Sequence, residues 1–523
     1  MSNRKIILCL LSAFLPMLAH IAAQTPKHEM RGAWVATVYG IDWPSRQGST
    51  PEIAEHQRRE LIAIFDSLQT AGLNAVLLQV RPMADALYHS DKEPWSAYLT
   101  GERGVSPAEG WDPLEFAIGE AHARGMELHA WVNPFRFAMS PTLPATPYDR
   151  KAYQKGWIIT HRTGGSAGAG AKGKSGKKKG RRKAQPQPKG KAVSIFDPGN
   201  EGAVGHVLDV CRDIVRNYDI DGLVFDDYFY PDRFPLPAGE DPEKAADLRR
   251  HYVNRAVASV YAMIQKEKPY VRFGVAPAGV AGGNGKATAK YNLLPPIVGN
   301  DWMYDRIYCD PLAWLSEGTV DYVSPQLYWP SDHLTNPYGP LAQWWEGVAR
   351  HFRRHCFASH SLTNAASSPE HWREQGRQID FDRESAAPGS VLYSVASMSG
   401  KKAGGLASYL GMNHYAVPAL MPSMGWKHAS DPGKVRNLRI DDDGVLSWTG
   451  NKARRYVVYA IPYDISAADA SDDRGVNFLP AYIAGVSYGD SFPLPSYLTT
   501  DYWYAVAPYD RYGNEWKASV LHP

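Results

Sequence analysis

The sequence predicts an α/β protein: a (β/α)8 TIM barrel followed by a small C-terminal all-β sandwich. Between residue 31 and about residue 410, eight short apolar segments rich in β-branched residues alternate with helical patterns. From about residue 432, only short alternating strands separated by turn residues follow. The length of 523 residues suits a barrel of roughly 250–400 residues and a second domain of about 100. The predicted barrel strands are 31–38, 74–80, 127–132, 222–226, 271–276, 321–327, 356–361 and 390–396.

The segments between these strands have the apolar spacing of amphipathic helices. Leu61, Ile64 and Leu68 lie three or four residues apart and therefore share one helical face. Asp112 and Pro113 predict a helix start, because Asp caps the free N–H groups of a first turn and Pro fits its first position. Strands that alternate with such helices form a parallel sheet, and eight of them close into a barrel.

The N-terminus has the pattern of a secretory signal peptide over residues 1–23. Arg4 and Lys5 precede an apolar run at 6–18, and small residues offer a cleavage site before Gln24. The run is too short to span a bilayer comfortably, and no later stretch is apolar enough to do so. We therefore expect an exported protein without a transmembrane segment after cleavage, periplasmic or associated with the cell envelope, or secreted.

We predict that the barrel covers residues 29–425 and the sandwich residues 432–523. Residues 163–192 consist almost entirely of Gly, Ala, Lys, Arg, Ser, Gln and Pro, so no core can form from them. They predict a disordered basic insertion after the third strand, which either has no role or tethers the protein to an anionic surface. The sandwich resembles a fibronectin type III domain, with Trp448 as its core tryptophan.

The composition argues against several functional classes. The formal net charge is +3 and much of the positive charge lies in the basic insertion, so no nucleic-acid partner is indicated. The cysteines that follow the signal peptide are scattered and predict no disulfide framework. The histidines lack metal-ligand spacing, and no dinucleotide or phosphate loop is present, so we predict neither a metal nor a cofactor.

Polar and aromatic residues occupy the positions that we expect to face the barrel axis near the C-terminal ends of five strands. Side chains alternate along a strand, and the active sites of such barrels lie at these strand ends. A barrel interior without a function would carry Val, Ile and Leu there, so this set predicts a sugar-binding cleft. The candidate substrate-binding residues are Trp34, Gln79, Arg81, His129, Trp131, Asn133, Tyr228, Gln326, Tyr328 and Trp329.

Cleavage of a glycosidic bond normally requires two carboxyl groups, or one carboxyl group and help from the substrate. Asp226 ends the fourth predicted strand and is the leading candidate for an essential carboxylate, followed by its neighbour Asp227. A second carboxylate could be Asp85, Asp42 or Glu93, all on loops after the first two strands. The spacing of these residues in the sequence does not choose among them.

Seven segments of the barrel together form a family pattern. They are RGAWVAT (31–37), NAVLLQVRPMADALY (74–88), PWSAYLTG (94–101), HAWVNP (129–134), FDPGN (196–200), DIDGLVFDDY (219–228) and PQLYWP (325–330). These segments resemble the glycosyl-hydrolase-like 10 family, and the basic insertion departs from the family pattern. The resemblance implies an exported bacterial protein with a glycosidase-related barrel. Members of the family have been linked to cutting peptidoglycan glycan strands freed of their stem peptides.

More distant resemblances concern the mechanism. The segment 221–226 is similar to the strand that carries the nucleophile in α-amylase-type enzymes and to the chitinase strand that ends in Asp-x-Glu. Tyr228 stands where the chitinase acid would be, whereas Tyr328 is similar to a chitinase tyrosine that helps substrate-assisted catalysis. Retaining, inverting and substrate-assisted mechanisms stay open. We expect a monomeric glycoside hydrolase that acts on a polysaccharide, most simply peptide-free peptidoglycan glycan. The alternatives are a hydrolase of another dietary or host polysaccharide and a non-catalytic glycan-binding barrel.

Overall fold

The computed structural model describes residues 25–139, 146–163, 191–226, 229–232, 234–281, 283, 285–296, 302–363, 368–384, 389–399, 405–450 and 452–521. The predicted signal peptide and residues 164–190 of the predicted basic insertion lie outside this part of the chain. Within it, no helix combines the length and the apolar composition needed to cross a bilayer.

Eight parallel strand positions form the barrel, and each coincides with a predicted strand. The sheet order runs from His355–Cys356 through the sixth, fifth, fourth, third, second, first and eighth strands to Ala358–Ser361. These two end segments are separated in sequence only by Phe357, whose N–H donates to the carbonyl of Val323. The seventh strand is therefore interrupted, and the sheet closes through it. The strands are Met30–Val35, Ala75–Arg81, Glu127–Val132, Gly222–Asp226, Arg272–Ala276, Tyr322–Val323, His355–Cys356 with Ala358–Ser361, and Gly389–Tyr393.

One principal helix follows each barrel strand, which gives the complete (β/α)8 pattern. As predicted, the helix at Pro113–Ala123 begins after Asp112, whose carboxylate accepts hydrogen bonds from the N–H groups of Leu114 and Glu115. The third loop adds a three-stranded antiparallel sheet made of Arg136–Ala138, Ile158–Thr163 and Lys191–Phe196. The eight helices are Pro51–Thr70, Pro113–Ala123, Glu201–Asn217, Pro242–Glu267, Pro311–Glu317, Tyr338–His351, Pro369–Glu384 and Leu406–Asn413.

Shorter helical segments lie in the loops. They are Val38–Gly40, Ala97–Thr100, Pro147–Gln154, Lys286–Ala289, Trp302–Arg306, Val395–Ser397, Ala467–Ala470, Pro480–Tyr482 and Ser496–Leu498.

The alternation of side chains divides the barrel core into two parts. Leu223 and Phe225 belong to the outer cluster between strands and helices, whereas Val224 belongs to a separate cluster inside the barrel. Two glycines make room inside: a Cβ atom at Gly222 would lie 2.5 Å from the His129 ring. A Cβ atom at Gly274 would lie 2.2 Å from the Tyr322 ring. The inward and outward positions predicted for the fourth strand are therefore the observed ones.

The C-terminal region is a sandwich of two antiparallel sheets. Their facing sides share one apolar cluster, in which Trp448 is buried against Tyr456 with ring centroids 5.2 Å apart. One sheet contains Arg436–Ile440, Val445–Thr449 and Ser491–Pro493, and the other contains Ile483–Ser487, Arg455–Pro462, Tyr502–Tyr509 and Ser519–Leu521.

The sandwich packs against the N-terminal end of the barrel through buried ion pairs. Acidic residues begin the third strand or directly precede the fourth and sixth, and each pairs with a cation from the C-terminal part of the chain. The pairs are Glu127 with Arg455 at 2.6 Å, Asp221 with Arg511 at 3.0 Å, and Asp321 with Lys427 at 2.7 Å. These six side chains are nearly fully buried, so the pairs align the two domains.

Glu127 is the centre of the largest of these ion clusters. Arg272 lies 3.4 Å from its carboxylate and His129 hydrogen-bonds it at 3.2 Å, in addition to Arg455. Burial raises the pKa of Glu127, but the two guanidinium groups and the hydrogen bond outweigh burial and bring the pKa down to about 2. The carboxylate is therefore charged throughout the physiological range.

Arg455→Met is expected to destabilise the folded chain by about 3–5 kcal/mol, because it leaves Glu127 buried with a weaker set of cations. The free energy of unfolding from denaturant titration measures this loss. Arg216→Met is the matched control, since Arg216 pairs with Glu267 on the outer surface, and we expect it to change stability little. Equal small losses in both variants would show that domain docking does not depend on the Glu127 cluster.

The same cluster predicts a loss of stability in acid. The folded-state pKa of Glu127 is depressed, so its contribution is present above the ordinary pKa of 4.5 and is lost as the pH falls towards about 2. Unfolding titrations between pH 6 and pH 2 should therefore show stability falling below about pH 4.5. Glu127→Gln should reduce this slope by up to one proton per molecule, and an unchanged slope in the variant would refute the assignment.

Candidate active site

A cavity of about 460 Å³ opens at the C-terminal ends of the barrel strands. Residues from the first to sixth and eighth strands and from the loops that follow them surround it. They are Trp34, Val38, Tyr39, Ile41, Gln79, Trp131, Arg136, Met139, Asp226, Ala276, Gln326, Tyr328 and Tyr393. Among these described residues, the cavity thus combines one carboxylate, one guanidinium, two amides and five aromatic side chains with apolar side chains beside them.

Asp226 is the carboxylate of this cavity and lies at the end of the fourth strand. Its Oδ2 atom accepts a hydrogen bond of 2.9 Å from the side-chain amide of Asn133, and its Oδ1 atom lies 3.5 Å from the amide nitrogen of Gln326. The residue is 7% exposed. Asp226 therefore combines access to the cavity with a fixed orientation.

A relay of side-chain amides holds Asp226 in place. The Gln79 amide oxygen accepts from the N–H groups of Thr37 and Val38, both at 2.9 Å, which fixes which end of the amide is the donor. The Gln79 amide nitrogen then donates to the Asn133 oxygen at 2.7 Å, so the Asn133 nitrogen faces Asp226. The backbone N–H groups after the first strand thus determine, through the two side-chain amides, which donor faces the carboxylate on the fourth strand.

Two tryptophans form the base of the cavity. Trp34 and Trp131 pack edge to face with ring centroids 5.0 Å apart, and the Trp34 indole N–H donates to the hydroxyl of Ser359 at 3.1 Å. The indole N–H of Trp131 is buried and has no hydrogen-bond partner among the described residues. A buried donor without a partner is costly, so this indole N–H lowers the stability of the cavity floor.

Two tyrosines of the cavity lining stack on each other. Tyr328 and Tyr393 have ring centroids 5.6 Å apart and nearly parallel planes. Beside them, the Gln326 amide donates to the carbonyl of Ala276 at 2.9 Å. Flat aromatic faces and fixed amides are the groups that bind sugar rings and hydroxyls.

Several cavity residues do not follow from the sequence patterns used above. Tyr393 continues the inward alternation of Val391 on the eighth strand, and that parity could have identified it. Tyr39, Arg136 and Met139 lie on or beside loops that follow the first and third strands, where no periodicity indicates which way a side chain points.

Arg81 does not reach the cavity, although it shares sequence parity with Gln79. The pairing of the second and third strands shifts register between these two residues, so the alternation is broken there. The Arg81 guanidinium instead forms two hydrogen bonds of 2.6 Å to the carboxylate of Glu93. Burial raises the pKa of Glu93, but Arg81 outweighs burial and holds it well below its usual value. This pair braces the second loop.

His129 and Trp329 also lie away from the cavity. His129 faces the axis as predicted, but it lies two residues below Trp131 and hydrogen-bonds Tyr322 at 2.9 Å and Glu127. It is fully buried beneath the tryptophans and does not line the cavity. Trp329 packs beside His333 on the sixth loop, with ring centroids 6.3 Å apart. Asn133 is likewise outside the cavity lining and acts on Asp226.

The candidates for a second carboxylate on the first two loops are held by their own partners. Asp85 is buried 3.4 Å from Arg103, and burial raises its pKa. Asp42 accepts hydrogen bonds from the hydroxyl of Ser394 and from the N–H groups of Ala36 and Ala396. These bonds connect the first loop to the eighth. Burial raises the pKa of Asp42. Neither side chain lines the cavity.

Asp227 and Tyr228 lie outside the described residues. Among the described residues that line the cavity, Asp226 is the one carboxylate. Nowhere among the residues that the structure describes do three His, Cys, Asp or Glu side chains form a group that could hold a metal ion.

A larger cavity of about 780 Å³ lies elsewhere, between the start of helix Pro113–Ala123 and the end of helix Glu201–Asn217. One of its lining carboxylates, Asp112, caps the first of these helices and accepts a hydrogen bond from the hydroxyl of Tyr218. The polar groups there support local structure, so we place the active site at the barrel mouth despite the difference in volume.

The sequence profile described as "Glycosyl hydrolase-like 10" matches residues 29–173 and 175–367. The chain belongs to this family. Membership places it among the glycoside hydrolases and confirms the resemblance found from the sequence segments. The family match covers the strands that supply Trp34, Gln79, Trp131, Asp226 and Gln326, whereas the eighth strand lies beyond it.

Two curated relatives match over most of their length. The glycosyl hydrolase YngK of Bacillus subtilis is 30% identical over 470 residues, which cover 84% of this chain and 82% of the relative. The glycosyl hydrolase DigH of Escherichia coli K12 is 30% identical over 421 residues, 74% of this chain and 88% of the relative. The glycoside hydrolase domain of PgaB (BpsB) from Bordetella bronchiseptica aligns with 13% identity and a TM-score of 0.44, covering 71% of this chain and 96% of that structure.

Asn133→Ala is expected to lower kcat/KM for a glycan substrate by about 10–100-fold, because Asp226 loses the donor that orients it. Initial rates measure the effect, and a thermal midpoint shows whether the fold is retained. Asn217→Ala is the matched control, since Asn217 donates to Asp213 on the surface of a helix. Kinetics that are the same for Asn133→Ala and wild type would show that this amide does not position Asp226.

Proposed function

We propose that this glycoside hydrolase cleaves the peptide-free glycan strands of peptidoglycan. Asp226 carries the proposal, because it is an oriented carboxylate inside a cavity lined by aromatic side chains at the catalytic end of a barrel. The transition state of glycoside hydrolysis has positive charge at the anomeric carbon, and a fixed carboxylate beside that carbon stabilises it.

The remaining cavity groups would bind the sugar chain. The stacked Tyr328 and Tyr393 offer a flat surface for a sugar ring, and Trp131 adds a further aromatic side chain to the cavity lining. Tyr39 and Ile41 are more than two-fifths exposed at the rim and extend the apolar surface beyond one sugar unit. A cavity of this kind suits a polymer of N-acetylated sugars.

The same proposal includes the cellular setting. The charged and apolar pattern of residues 1–23 supports export, so that the protein would act in the periplasm or cell envelope or be secreted, as a monomer. The three-on-four sandwich with Trp448 between its sheets supports a fibronectin type III-like module. Its ion pairs to the barrel floor suit a rigid support more than a flexible spacer.

Digestion of purified peptide-free glycan strands tests this function. Wild type should release soluble sugar fragments from these strands and few from intact sacculi, whereas Asp226→Asn should lose activity on the order of 10³-fold or more. Asp209→Asn, which changes an exposed carboxylate on a helix, is the matched control and should retain activity. Chromatography of the reduced fragments measures the products.

The outcomes separate the parts of the proposal. Products from peptide-free strands with wild type and not with Asp226→Asn would support both the substrate and the residue. Equal activity of the two proteins would remove Asp226 from the chemistry. Hydrolysis of another polysaccharide, without any of the peptide-free strands, would replace peptidoglycan as the substrate.

A further inference from the structure

We propose that Arg136 forms a carboxylate-binding subsite in the active-site cavity, which recognises the free lactyl carboxylate of N-acetylmuramic acid. The inference rests on the proposed function and extends it, because it names the feature that distinguishes peptide-free strands from peptide-bearing ones. In a peptide-bearing strand this carboxyl group is an uncharged amide; in a peptide-free strand it is an anion on every second sugar.

Arg136 is built into the wall of the cavity. It begins the short strand Arg136–Ala138, where it pairs with Ile195, so its backbone is held against the last strand of the third loop. The residue is 9% exposed and lines the cavity together with Asp226. Among the lining residues that are described, Arg136 is the cation and Asp226 the anion.

The electrostatic surroundings show that both charges act on the same part of the cavity. Burial raises the pKa of Tyr393; the carboxylates of Asp42 and Asp226 raise it further, and the guanidinium of Arg136 lowers it. Tyr393, Asp226 and Arg136 all line the same cavity. A sugar bound over Tyr393 would have its reacting bond near the carboxylate and an acidic substituent near the guanidinium.

The chemistry of arginine favours a carboxylate ligand over a neutral amide. A guanidinium presents parallel N–H donors in a plane, which match the two oxygens of a carboxylate, and such charged pairs are about twice as strong as neutral hydrogen bonds. A secondary amide has one acceptor oxygen, carries no charge and continues into a bulky peptide. The subsite would therefore select against strands that still carry their peptides.

Two soluble substrates that differ only in this group test the inference. One is an oligosaccharide of alternating N-acetylglucosamine and N-acetylmuramic acid with free carboxylates, and the other is the same oligosaccharide with its carboxylates converted to carboxamides. Wild type should show a kcat/KM about 10–100-fold higher for the carboxylate form. Arg136→Met should lower the carboxylate form more than the carboxamide form, so that the ratio of the two kcat/KM values falls to about one.

Two further variants sharpen the comparison. Arg136→Lys keeps the charge without the planar pair of donors and should retain part of the preference. Lys155→Met removes a cation that lies 4.1 Å from the Trp157 ring centroid, outside the cavity, and should leave the preference unchanged. Thermal midpoints show whether each variant is folded, and the two-substrate comparison with wild type requires no variant at all.

A wild-type enzyme that cleaves both forms equally would overturn the Arg136 subsite and leave the proposed function intact. Equal losses on both forms in folded Arg136→Met would also overturn it, because they indicate a structural role. Cleavage of neither form by wild type would overturn the proposed function and this inference with it. A preference that is present in wild type and absent in Arg136→Met is the supporting result.

Discussion

A closed barrel requires every second residue of its strands to point at one common axis, and the rest of this molecule depends on how those positions are filled. At the N-terminal end they include Glu127 and Arg272, which are tolerable there because Arg455 of the sandwich completes the ion cluster. Above them His129 and Tyr322 fit only because strands four and five have glycine opposite. The tryptophans and Asp226 then occupy the open end.

The two ends of the axis follow different physical rules. The lower end is sealed by the C-terminal domain, so its charges are paired and serve stability. The upper end is open, and its groups are oriented by the Gln79–Asn133 relay before any ligand arrives. A carboxylate that is preorganised in this way can stabilise developing positive charge without first changing its own orientation. The hydrogen bonds of the surrounding amides hold it in that orientation.

Sequence patterns predicted the strands because alternation and helical spacing are local properties, and the eight predicted strand positions agree with the structure. They predicted cavity residues on the regular strands, such as Trp34 and Trp131, and also Gln326 beyond the short sixth strand. They were wrong for Arg81, because the register shift after Gln79 turns it towards Glu93. The alternation of side chains also does not predict how deep His129 lies along the barrel axis, because alternation gives the direction of a side chain and not its position along the axis.

The sequence by itself therefore determined the family and the barrel and indicated Asp226 as the leading candidate carboxylate, since each depends on short segments read in order. Only the tertiary structure decided that Asp85, Asp42 and Glu93 are engaged in loop bracing, and that Arg136 and Tyr393 join the cavity. Their roles depend on contacts between loops far apart in the chain. The geometry of those contacts is set by barrel closure and packing, which no local pattern contains.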